Sequence, residues 1–210
     1  MKLPAASYGV SPVQQWQRAT YPAIARTAKR DKAEIYFWDE SGVCADAVPG
    51  TTWGAEGQTP VVSAPGQRQG ISAASAVSAK GAFWLAPSPG ALNGEMFVTL
   101  LRRMMRGRCR PLHLILDGLP AHKSNAVTPY VAGLNDTLTL HDLPGYAPDR
   151  NPDELVWSHA KRTGNARRPL QQDEKFDERV TRSWLRSVAG LHWCRPASGI
   201  RVLPMVLTCE

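Results

Sequence analysis

Two of the most apolar runs in the chain end in an aspartate. Glu34-Ile35-Tyr36-Phe37-Trp38-Asp39 and Leu112-His113-Leu114-Ile115-Leu116-Asp117 each read as a buried strand, and a helix opened by Pro152 carries Asp153 and Glu154 in its first turn. Carboxylates at strand ends project at one edge of a sheet, where a following helix can bring another acid beside them. Neighbouring carboxylates resist ionising together, so the natural occupant is a hard divalent cation with oxygen ligands: magnesium, with manganese as a substitute. Two such ions about 3.5–4 Å apart activate the attacking oxygen and stabilise the leaving oxygen of an in-line displacement at phosphorus. No phosphate-binding Gly-rich loop, nucleophile elbow or His-Glu-x-x-His pattern offers a competing chemistry. Adjacent helical positions point about 100° apart, so Asp153 and Glu154 do not easily share one role, and spacing alone leaves open which of them belongs to the site.

The elements that must position these acids follow from punctuation and periodicity. A Pro22-initiated helix leads into the strand ending at Asp39, which Ser41-Gly42 is expected to stop. From Val43 to Leu85, short apolar or alternating pieces between Gly, Pro, Ser and Thr predict antiparallel strands, among them Ile71 to Val77 and Ala82 to Leu85. Asn93 caps a helix with Met96, Phe97, Leu100, Leu101, Met104 and Met105 at helical spacing, a core stripe. After the second acid come a helix from Ser124 to Val131, a strand Leu138 to His141, a loop, and the helix from Pro152 to about residue 161. Antiparallel strands first and strand-helix units second predict an α/β domain whose mixed sheet is flanked by helices. The expected organisation is a lead-in over 1–33, a catalytic domain over 34–170, a helix within 171–190 and a tail over 191–210.

Lys and Arg total 25 against 18 Asp and Glu, a net charge of +7 that favours polyanions such as the phosphate backbone of DNA. Lys161, Arg162, Arg167 and Arg168 follow the third acid and are candidates for phosphate contacts, with Arg150 just ahead of it; Arg102, Arg103, Arg106, Arg108 and Arg110 read as solvated surface. A hydrophobic share of 43% supports a core and excludes a disordered tail or fibre. The four cysteines form no Cys-x-x-Cys pair and read as reduced thiols. No apolar run approaches the roughly 18 residues of a membrane span, and the N-terminus has no long apolar signal region, so a cytoplasmic protein is expected.

The local words around the acids carry more than their spacing. Phe37-Trp38-Asp39-Glu40-Ser41-Gly42, then Leu114-Ile115-Leu116-Asp117-Gly118-Leu119-Pro120-Ala121-His122-Lys123, then Leu143-Pro144-Gly145-Tyr146-Ala147-Pro148-Asp149-Arg150-Asn151-Pro152-Asp153-Glu154 together resemble the DDE transposases, above all the bacterial insertion-sequence transposases of the mariner superfamily. The resemblance runs from about Tyr21 to Leu170 and includes Trp53-Gly54 and Gly57-Gln58-Thr59-Pro60. It implies a ribonuclease H-like fold with a five-stranded sheet, two Mg2+ ions for which Mn2+ can substitute, and cutting and joining of transposon-end and target DNA, with a homodimer in the DNA complex at the bacterial nucleoid. It also implies Asp39, Asp117 and Glu154 as the catalytic, metal-holding acids, with Glu40 and Asp153 as neighbours. His122 and Lys123 fall where such proteins often carry histidine and a basic residue, with contacts to phosphate or behind the acids expected.

Full-length relatives carry a helix-turn-helix region ahead of the catalytic domain. The stretch before Tyr21 is too short for one, and the tail after Gly190 does not resemble the family, so a truncated or frame-shifted chain is expected. The alternative to a working transposase is an inactive remnant that binds DNA non-specifically; a further one is a two-metal nuclease cutting RNA in hybrids.

Overall fold

Four runs that carry large β-formers, and one run of small residues, assemble into one sheet. The computed structural model describes residues 11–44, 55–57, 70–78, 80–88, 90–145 and 150–163, with 175, 178–179 and 181–182 beyond them. Its strands are β1 (Glu34–Cys44), β2 (Gly70–Ser78), β3 (Phe83–Ser88), β4 (Leu112–Leu116) and β5 (Leu138–Asp142). They lie in the order β3-β2-β1-β4-β5. The half from β3 to β1 is antiparallel, and β1, β4 and β5 run parallel. This is the mixed sheet expected from the order of the elements, with the five strands that the resemblance implies.

Alternation along the strands builds two apolar layers. Tyr36 and Trp38 of β1, Leu112, Leu114 and Leu116 of β4, and Ala74 and Ala76 of β2 face α3 (Gly94–Met105), whose Phe97, Leu100, Leu101 and Met104 are wholly buried. Phe37, Val77 and Ile115 face the other way, onto Trp16 and Leu143. Every residue of β4 is buried, which is why it reads as a continuous apolar run.

Four findings differ from the sequence expectations. The lead-in is longer than one short helix: α1 (Pro12–Gln15) and α2 (Tyr21–Arg30) are joined by a π-type turn, Trp16–Thr20. Pro22 has no amide hydrogen to give to residue 18, and a widened turn ahead of it accommodates that loss. β1 does not stop at Ser41-Gly42 but runs on to Cys44, because Glu40 to Cys44 pair with Ala74 to Gly70 of β2. Ser124 does not open a helix; it ends a 3-10 turn, Pro120–Lys123, and α4 spans Val127–Ala132. Arg108 is not solvated surface: it donates to Glu34 at 2.6 Å and to the Met104 carbonyl, and lies over the Tyr36 ring. Trp53-Gly54, residues 58–60, residues 146–149, Arg167, Arg168 and most of 171–210 lie outside the described residues.

α3 starts against the segment that follows the second acid. Asn93 caps it by accepting from the Met96 amide at 2.8 Å, and a Cβ built on Gly94 would overlap the Ser124 hydroxyl and come within 2.5 Å of Ser124 Cβ. Gly94→Ala is therefore expected to cost about 1–3 kcal/mol, the usual range for overpacking, measured by denaturant unfolding. Wild-type stability in that variant would show that the Ser124 segment moves aside freely.

Candidate active site

The pairing of β1 with β4 ends at Phe37 and Ile115, and there the two strands part. Asp39 and Asp117 each lie two residues beyond that last pair. β1 goes on alongside β2, while the chain after β4 turns away through Gly118, whose φ of +79° favours a residue without a side chain. Asp39 thus lies within its strand and not at its end, just beyond the point where β1 and β4 part.

The third element is α5 (Pro152–Thr163), which packs on the face of the sheet that carries Asp39. Asn151 fixes its start twice: its amide donates to the Trp38 carbonyl at 2.9 Å, and its side-chain oxygen accepts from the Asp153 amide at 3.1 Å. The two acids of its first turn then take different environments. Asp153 is fully buried and accepts a bond from the Ser75 hydroxyl at 2.7 Å, with Ser75 directly opposite Asp39 in the ladder. Glu154 is exposed.

Electrostatics tie the acids together. Burial, followed by the Glu154 carboxylate, pushes Asp39 up to about 8, with smaller contributions from Glu40 and Asp117. Burial and then Glu40 raise Asp117 above the ordinary carboxylate range. Burial holds Asp153 well above that range against the bond from Ser75. Asp39, Asp117 and Glu154 therefore bring carboxylates from β1, from the end of β4 and from α5 into one field. The Asp39 carboxyl feels the charges of both other acids, and an all-oxygen donor set of this kind suits a hard divalent cation, which would relieve that repulsion.

Two residues near the site have roles that spacing did not reveal. Glu40, on the opposite face of β1 from Asp39, accepts from the Trp38 indole N–H and stands 2.8 Å from His122 Nε2. Ligand atoms of Glu40, Asp117 and His122 lie within 4.8 Å of one another. The His122 side chain is only 1% exposed, so its ring faces inward and not toward a surface that DNA could reach. Strand alternation, which puts Glu40 on the Trp38 face, was the available signal. Lys123 is exposed and pairs with Asp142 at 3.0 Å; Arg150 and Lys161 are exposed, and the side chain of Arg162 lies outside the described residues.

The mixed sheet in the order β3-β2-β1-β4-β5, with helices packed on it, is a ribonuclease H-like fold. The chain belongs to the DDE superfamily endonuclease family, whose model matches residues 34–177. Among solved structures it is similar to the Mos1 strand transfer complex, with a TM-score of 0.52 and 16% identity over 92% of this chain and 63% of that one. The Mos1 mariner paired end complex with Mn gives 0.53 and 15% over 87% and 61%, and the catalytic domain of Mos1 mariner transposase gives 0.50 and 14% over 90% and 91%. At these identities the likeness shows the fold, and the chain spans less than two thirds of the length of the first two. No curated protein matches it in sequence. No described helix is long and apolar enough to cross a membrane.

Proposed function

We propose that this chain carries out metal-dependent cleavage and joining of DNA strands in transposition, with Asp39, Asp117 and Glu154 as its catalytic, metal-holding acids. The observation that carries the reading is the match of the DDE superfamily endonuclease model over residues 34–177, which takes in all three acids; the raised Asp39 carboxyl, pushed up by burial and then by Glu154, accords with it. Two Mg2+ ions, or Mn2+ in their place, would supply Lewis acidity at the attacking and leaving oxygens of a phosphodiester. The protein's own part is to hold the carboxylates: the ladder with β2 fixes Asp39 opposite Ser75, the turn at Gly118 sets Asp117, and Asn151 and Asp153 anchor the helix that presents Glu154. Lys123, Arg150, Lys161, Arg162, Arg167 and Arg168 would contact the DNA phosphates, whose charge the net +7 of the chain favours. Paired-end complexes of Mos1, one of them with a left transposon end, support transposon ends as the substrate and a homodimer as the working assembly; with DNA as its substrate, the protein would work at the bacterial nucleoid.

The test is a calorimetric Mn2+ titration of wild type and Asp117→Asn, with plasmid nicking and transfer of a 3′-hydroxyl oligonucleotide on the same samples. The expected result is that wild type binds Mn2+ and cuts, while Asp117→Asn loses metal affinity and about 10^3-fold in cleavage rate, or roughly 4 kcal/mol of barrier. Equal, weak metal binding by both proteins with no cutting would overturn this reading and leave a DNA-binding remnant without catalysis.

A further inference from the structure

We propose that Glu40 and His122 form a positioning pair that fixes the Asp117 carboxylate from behind, through the face of the sheet opposite Asp39. The inference rests on the reading of Asp117 as a metal-holding acid and adds to it the two residues that aim it.

The geometry runs as a chain of contacts across two elements. Glu40 Oε1 takes the Trp38 indole N–H and lies 2.8 Å from His122 Nε2, so one carboxylate oxygen is shared by two ring donors. The imidazole thus stands between two carboxylates, with Nε2 toward Glu40 and Nδ1 toward Asp117. The imidazole is also held by packing, with its ring centroid 4.5 Å from that of Phe97. Its remaining nitrogen, Nδ1, is buried without a hydrogen-bond partner and stands 3.4 Å from Asp117 Oδ1. The same Oδ1 accepts the Leu119 amide from the other side at 3.3 Å. Both contacts fall on one oxygen of Asp117, which leaves Oδ2 for the metal.

The arrangement explains why a glutamate sits beside the first acid. Asp39 and Glu40 alternate across β1, so one carboxylate lies on the α5 face of the sheet and the other on the α3 face. Ligand atoms of Glu40 and Asp117 lie within 4.8 Å of each other, yet Glu40 Oε1 is already engaged by Trp38 and His122, and its Oε2 is buried without a partner. His122 is likewise spent on Glu40 through Nε2. A carboxylate-imidazole pair behind a metal-holding residue fixes that residue's orientation, and loss of such support typically costs 10–100-fold in metal affinity.

The experiment compares His122→Gln, His122→Asn, Glu40→Gln and the Glu40→Gln/His122→Gln double variant by Mn2+ calorimetry, with Asp117→Asn as reference. A glutamine at 122 can reach Glu40 in place of Nε2 but puts no polar atom where Nδ1 lies, so Mn2+ affinity is expected to fall 10–100-fold. An asparagine puts its amide near the Nδ1 position and is expected to restore most of that loss, which a role in packing alone would not predict. Glu40→Gln is expected to weaken Mn2+ binding alone and to add nothing in the His122→Gln background, the non-additivity of residues acting in series. Electron spin-echo spectra of bound Mn2+ are expected to lack imidazole nitrogen coupling.

If Asp117→Asn loses Mn2+ while both His122 variants bind like wild type, the positioning pair is overturned and the metal reading stands. Nitrogen coupling to Mn2+ would also overturn it, by making His122 a ligand. If Asp117→Asn binds Mn2+ like wild type, the metal reading itself fails.

Discussion

Asp39→Asn is expected to stabilise the metal-free protein at pH 8 while abolishing metal-dependent cleavage. Burial and the Glu154 carboxylate raise Asp39 from 3.8 to about 8, so the folded chain keeps a proton that the unfolded chain has released. For a group raised in this way, stability is fully present below the unfolded value and is lost as pH climbs through the folded one. The window is therefore about pH 4 to 8, with a slope near 1.4 kcal/mol per pH unit for each proton involved. Asparagine resembles the protonated acid in shape and does not titrate, so its curve should be flatter by about one proton. Asp117 and Asp153 are raised as well and keep some slope in the variant. Urea unfolding at several pH values in chelator reads this directly. Mn2+ at about 100 times its dissociation constant should then add roughly 2.7 kcal/mol to wild type and nothing to the variant. Equal slopes in the two proteins would mean that Asp39 is not the group holding the proton.

The sheet was legible because its strands announce themselves by composition. The run from Glu34 to Trp38 and the run from Leu112 to Leu116 are dense in large β-formers, and the crossover from antiparallel to parallel pairing follows the order of the elements. What escaped depends on partners distant in sequence. Ser41-Gly42 reads as a stop, yet β2 supplies ladder bonds that carry β1 to Cys44, and this moves Asp39 from the end of its strand to the middle. Tertiary pairing overrides a local breaker. Glu40 is uninformative without His122, which lies 82 residues away. Arg108 looks like one more cation in a basic stretch until Glu34 and Tyr36 are placed beneath it. Local preference cannot report contacts of this kind, because they exist only once the sheet has formed.

The choice between Asp153 and Glu154 was the one that spacing left open, and the two environments now predict opposite outcomes. Glu154→Gln changes an exposed side chain and removes a charge that opposes Asp39, so the metal-free fold should be as stable as wild type or more so above about pH 4. Cleavage should fall on the order of 10^3-fold, because the α5 carboxylate is lost from the metal-holding set. Asp153→Asn alters a side chain that is wholly buried, raised well above the ordinary carboxylate range and bonded to Ser75. An amide there can still accept the Ser75 hydroxyl while relieving like-charge repulsion toward Asp39, so cutting should persist and the metal-free fold should be less sensitive to rising pH. Nicking rates with Mn2+ and unfolding midpoints on the two variants settle the assignment. Loss of cutting in Asp153→Asn with retention in Glu154→Gln would exchange the two roles, and would require α5 to turn by about one residue, roughly 100°, to bring Asp153 out to the site. The bonds from Asn151 to the Trp38 carbonyl and to the Asp153 amide oppose that rotation, because both would have to break for the helix to turn.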